Sequence, residues 1–231
     1  MDLLSFAKSY WDYYLELENR MRETRRYIEY DEYNFRAYSS NYLILFQAVC
    51  SEIDVVGKEI AAYFNPDFDS DTGTKPINRW WFEIQDNLPD VNREVTFADS
   101  YSLFPWEKYR VERVVSTQNR NGKEIQVINY NLQRKVDGIS YATPTWWNAY
   151  NKVKHKRLQT DSDGVNYKKA NQKNLASAFA ALYLLEFEFM KHIGTVQERA
   201  KFEQSELFGL GDLQGVRIKN VIYNERKIIL E

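Results

Sequence analysis

The sequence predicts a mainly α protein, a bundle of four to five helices with a small β-containing insertion and a C-terminal β-hairpin. Three observations carry this. Apolar residues recur at spacings of three and four along four stretches, the spacing of helices with one buried side. Between about 76 and 142 that period weakens, and two loosely alternating runs flank Asn119-Arg120-Asn121-Gly122. The tail alternates again, from Val216-Arg217-Ile218 to Ile228-Ile229-Leu230 around Asn224-Glu225-Arg226.

The first helix spans about 3 to 30, with Phe6, Tyr10, Trp11, Tyr14, Leu17 and Met21 at helical spacing. Arg20, Arg22, Arg25 and Arg26 near its end complement the helix dipole and read as a solvated terminus. After a connection over 31–38, Ser39 or Ser40 caps a second helix, Tyr42 to Tyr63. Cys50 falls inside its apolar face, where a thiol is inert. The turn Asn65 to Gly73 is rich in aspartate, but it lacks the glycine and glutamate positions of a calcium loop. Residues 66–142 form the insertion, with a short helix near Arg79 to Asn87 and strands Arg110–Val115 and Gln126–Leu132. Phe104-Pro105-Trp106 can fold back over the bundle. Thr143 and Pro144 mark the start of the next helix, as N-cap and first helical residue. A last helix, about Lys169 to His192, is apolar on nearly all sides and ends at Gly194, so it belongs in the middle. Residues 202–231 extend what is otherwise one domain, 1–231.

Composition narrows the function. A net charge of −2 provides no global pull toward nucleic acid, so any such contact needs a local patch. Thirteen Phe, 17 Tyr and 6 Trp point to a core or interface of large rings. One cysteine excludes an internal disulfide and fits a reducing compartment. The start lacks a basic segment followed by a long apolar run, and no stretch of membrane-spanning length is apolar throughout. A cytoplasmic protein without membrane contact is expected. Two histidines and one cysteine make no convincing zinc site, so neither metal nor cofactor is expected.

The stretch with the look of a site is Thr143 to Arg157. Trp146, Ala149, Tyr150 and Val153 share one side of the helix, while Asn148, Asn151 and His155 form a row opposite, beside Lys152. Trp147 points between the two and can line a cleft or stack on a base. Lys152, Lys154, Lys156 and Arg157, with Lys168, Lys169 and Lys173 beyond the next loop, outnumber Asp161 and Asp163. A phosphate or RNA contact belongs here if the chain has one.

Trp147-Asn148-Ala149-Tyr150-Asn151-Lys152-Val153-Lys154-His155-Lys156-Arg157, followed by a helix with Asn171, Asn174, Ala176, Ala178, Ala180 and Ala181, resembles the HEPN superfamily. These are helical-bundle proteins common in toxin–antitoxin and antiphage defence systems. The resemblance covers about a third of the chain. It implies a homodimer with two polar motifs across a cleft, an RNA substrate, and a protein partner such as an antitoxin. Active members are metal-independent endoribonucleases, in which a histidine moves protons and an arginine holds the phosphate. His155 takes the histidine position, with Asn148 and Asn151 orienting a hydroxyl or phosphate and Lys152, Lys154, Arg157 and Trp147 contacting RNA. The arginine falls at 148, 149 or 150, which hold Asn148, Ala149 and Tyr150. Three functions are thus in play: an endoribonuclease, a module that binds RNA, a nucleotide or a protein without cleavage, and a structural interaction protein.

Overall fold

The computed structural model describes residues 1–68, 76–120, 123–136 and 138–210. Its centre is the pair α3 (Ser40–Phe64) and α6 (Gln172–Ile193), packed side by side. Ser39 starts α3 by accepting the Tyr42 amide, and Tyr42, Phe46, Val49, Ile53, Val56 and Ile60 form its buried face. Asn171 starts α6 in the same way through the Asn174 amide. As its sequence requires, α6 is buried on almost every side from Leu175 to Met190.

The first helix is interrupted. It runs as α1 (Leu3–Phe6), a π-helical turn (Ala7–Trp11) and α2 (Asp12–Thr24), stopping short of the predicted end. Beyond Thr24 the chain folds back, because the Tyr30 hydroxyl donates to the Met21 carbonyl at 2.6 Å. Buried Glu18 on α2 gathers a distant segment: its Oε1 accepts from Ser205 Oγ at 3.1 Å and from the Glu206 and Leu207 amides at 2.7 and 2.5 Å. Burial raises the Glu18 carboxyl above its ordinary range, against the pull of these donors.

The predicted mainly α bundle is overturned: the fold is mixed α/β, with about half of the described chain helical. Four small antiparallel sheets make up much of the rest. In the one with three strands, the order β2-β1-β9 joins β1 (Val95–Phe97) and β2 (Tyr101–Leu103) to β9 (Phe208–Gly209). The Glu18 hydrogen bonds hold 205–207 in place for this pairing, which no local period announces. The predicted hairpin is present as β3 (Val111–Arg120) and β4 (Lys123–Leu132), paired from Val111↔Leu132 to Arg120↔Lys123. Short pairs follow, β5 (Lys135–Val136) with β6 (Ile139–Ser140) and β7 (Thr160–Asp161) with β8 (Gly164–Val165).

Tryptophans bind the 76–142 region to the helices. On α4 (Ile77–Ile84), Trp80 and Trp81 are fully buried, and Trp81 stacks on Trp106 with centroids 4.2 Å apart. Trp106 reaches Trp146 at 5.2 Å and donates its indole N–H to the Ala181 carbonyl of α6 at 3.2 Å. This region is therefore built into the core. Gly57 of α3 makes room for it: a Cβ there would lie 2.7 Å from Trp80 Cε3. Gly57→Ala gains about 1 kcal/mol of helix propensity but forces a fully buried indole to move, which costs about 1 to 3 kcal/mol. A lower midpoint in thermal unfolding is the expected result, opposite in sign to the same change at an open helix position.

Two termini differ from expectation. Pro144, not Thr143, occupies the N-cap of α5 (Thr145–His155), without a side-chain hydrogen bond. Gly194 ends α6 in an extended conformation rather than a left-handed turn, and it lies against the end of the Leu3 side chain, which a Cβ would have to displace. The predicted C-terminal hairpin, 216–230, and residues 69–73 of the aspartate-rich turn lie outside the described residues. No described helix is long and apolar enough to cross a membrane.

Candidate functional site

Helix α5 divides as its spacing predicts. Trp146, Ala149, Tyr150 and Val153 are buried, and burial pushes the Tyr150 hydroxyl up to about 12. On the outer side Asn148 is exposed and Asn151 half-buried, and the two share a shallow groove with Trp147, Thr143 and the start of α4. His155 is the exposed last residue of the helix, and its imidazole has no hydrogen-bond partner among the described residues. Trp147 is only 8% exposed, packed against Trp146 and Tyr150, so its ring offers no open face for a base. Lys154 lies 5.4 Å from the Tyr150 ring, and Arg157 Nε donates to the Val153 carbonyl at 3.4 Å. The polar row exists, but the cations do not converge on His155.

They converge one turn back. A cleft of about 790 Å³ opens between α5, the start of α6, the β7–β8 hairpin and the connecting segment 36–38. Arg36, Lys152, Lys168 and Lys169 bring four positive charges to its wall against one negative charge from Asp163, and Asn148, Asn171 and Asn174 bring amides. Tyr38 contributes an aromatic face, 43% exposed, with Lys168 Nζ 5.2 Å from its centroid and the Tyr167 ring edge-on at 5.7 Å. Lys152 and Asn148 are therefore the expected residues that belong to this cleft, whereas His155, Lys154 and Arg157 do not line it.

The start of α6 points into this region, but its backbone donors are already used. Gln172 and Lys173 amides donate to the Ala37 and Phe35 carbonyls at 2.9 and 3.1 Å, and the Asn174 amide to Asn171 Oδ1 at 3.0 Å. An anion here must be held by side chains rather than by a bare helix terminus. Two of the four cations are also engaged. Asp161 Oδ2 accepts from Lys152 Nζ at 2.6 Å, and its Oδ1 lies 3.0 Å from Lys169 Nζ. Lys152, then Lys169, hold the Asp161 carboxyl well below the usual carboxylate range. Arg36 and Lys168 have no ion pair among the described residues.

No group of three or more His, Cys, Asp or Glu suited to a metal ion occurs among the described residues. Comparison with protein-family models, curated proteins and solved structures yields no match to this chain.

Sequence reading misses Arg36 and Tyr38, which lie over a hundred positions before α5 and carry no local signature. They arrive because the 35–38 backbone pairs with the start of α6, through the Gln172 and Lys173 amides and the Tyr38↔Asn171 bridge.

Proposed function

We propose that this protein binds single-stranded RNA in the cleft at the start of α6. The observation that carries the reading is the grouping of Arg36, Lys152, Lys168 and Lys169 around an amide-lined cavity with the exposed Tyr38 ring beside it. Cations meet phosphates, an aromatic face accepts a stacked base, and amides reach base edges or hydroxyls. A chain of net charge −2 needs such a local concentration of positive charge to bind RNA at all. Kinship with the HEPN superfamily is part of the proposal and rests on the sequences of α3 and of the region from Thr143 to His192, which holds α5 and α6. A cytoplasmic setting is likewise proposed, supported by the single, free and buried Cys50.

Retention of a labelled, unstructured RNA over a salt series tests the reading. Replacing Arg36 and Lys168 together by alanine is expected to weaken binding on the order of tenfold and to flatten the salt slope by about 0.7 for each phosphate no longer neutralised. Lys154→Ala, outside the cleft, is expected to leave both unchanged. Equal binding by all three proteins would remove the cleft as the RNA site.

A second reading, metal-independent cleavage, is favoured by one observation: exposed His155 is followed by exposed Lys156 and Arg157, with no ion pair on either among the described residues. Such cleavage would set two copies of His155, each with its flanking cations, across a cleft, hence a homodimer through α5. Digestion of end-labelled RNA in EDTA decides. Products with 2′,3′-cyclic phosphate ends that vanish in His155→Ala establish cleavage, and equal traces from both proteins leave binding alone.

A further inference from the structure

We propose that Asp161 is a built-in competitor for the cleft, occupying with its carboxylate the position that an RNA phosphate takes between Lys152 and Lys169. This rests on the reading of the cleft as an RNA site. The β7–β8 hairpin turns tightly through Ser162-Asp163, with Gly164 at φ +102°, and the Asp161 side chain closes the turn by accepting the Asp163 amide at 3.0 Å. That turn aims the Asp161 carboxylate at two ammonium groups of the cleft wall, at 2.6 Å from Lys152 and 3.0 Å from Lys169, while the more exposed Asp163, which lines the cleft itself, lies 3.4 Å from Lys169. A carboxylate bridging two lysines presents the oxygens and charge of a phosphate. Its place is also reversible. The hairpin has two residues per strand, Ser162 and Asp163 are exposed, and such a pair has little stability of its own. Arg36 and Lys168 then make first contact, and a phosphate that reaches Lys152 and Lys169 displaces Asp161. The result is selection for ligands with several phosphates in a row, since one phosphate on Arg36 and Lys168 leaves the carboxylate in place.

Asp161→Asn tests this, because asparagine keeps the oxygen that closes the turn and removes the charge. In the salt-series retention assay the variant is expected to bind unstructured RNA about tenfold more tightly than wild type, with a slope steeper by about 0.7 to 1.4, the equivalent of one or two more phosphates. In the double variant Asp161→Asn with Lys152→Gln most of that gain should disappear. If wild type binds RNA and Asp161→Asn binds it no better, with the same slope, the competitor is overturned and the cleft reading stands. If neither binds RNA, both fall. If only the variant binds, the competitor is supported in its strongest form. Should Asp161→Asn fail to fold, Asp161→Ser, which also removes the charge and keeps a side-chain oxygen at the turn, serves in the same comparison. A gain of the same sign is expected, and no gain would overturn the proposal.

Discussion

Trp106→Ala is expected to lower stability by about 3 to 5 kcal/mol, the cost of emptying a large aromatic site in a close-packed core. Trp106 is fully buried among Trp80, Trp81, Trp146 and Tyr109, and its indole N–H satisfies the Ala181 carbonyl in the middle of α6. The substitution removes ring contacts to α4 and α5 at once and leaves a buried acceptor with one partner fewer. For a chain of this size the melting temperature should fall by on the order of 10 °C. Phe104→Ala is the control two residues away: Phe104 is 49% exposed, and a change of less than about 0.5 kcal/mol is expected. Denaturant titration of both variants gives the comparison. Equal, small effects would mean that the 76–142 region rests on the helices without being part of their core.

Glu186→Gln is expected to stabilise the protein, and to do so only above acidic pH. Glu186 lies in α6, fully buried, with neither carboxylate oxygen hydrogen-bonded. Burial first, and then the nearby charge of Glu52 on α3, raise its carboxyl well above the ordinary range. Tyr10 on the π-helical turn also feels Glu186, and its hydroxyl is raised by burial with Glu59, Glu52 and Glu186 adding to it. The folded chain therefore keeps a proton on Glu186 that the unfolded chain releases above about pH 4.5. Native protein binds more protons than unfolded protein in that window, so stability falls as pH rises, by about 1.4 kcal/mol per unit until the folded-state value is reached. Glutamine is neutral throughout and is free of this penalty. The gain should be near zero at pH 4 and grow as pH rises above about 4.5, read as melting temperatures of the two proteins across pH. A gain independent of pH would show that Glu186 is ionised in the native state.

How much of the molecule is legible in its sequence depends on the range of the interactions. The helices α3, α5 and α6 can be read from spacing because their buried faces are written within one element, and so can the β3–β4 hairpin, whose partners are near in sequence. The class of the fold cannot, because β9 finds β1 across more than a hundred residues, held by Glu18 of α2 rather than by any turn. Trp147 is ambiguous for a similar reason. Spacing gives its direction on α5, but not the rings of Trp146 and Tyr150 that cover it. For the cleft, Lys152, Lys168 and Lys169 stand out as a basic excess, while Arg36 and Tyr38 look like loop. Nor does a single glutamate in an apolar helix announce itself; only the packing of α3 and the first helix around Glu186 leaves both its oxygens without a hydrogen-bond partner.

Photocrosslinking of wild-type protein to an unstructured RNA carrying 4-thiouridine, followed by mass spectrometry of the adducted peptides, tests the RNA site most directly. The account predicts adducts on the peptide bearing Tyr38 and on that spanning 167–169, suppressed by excess unlabelled RNA and by high salt. Adducts confined to 154–157 beside His155, or to the β3–β4 hairpin, would contradict it.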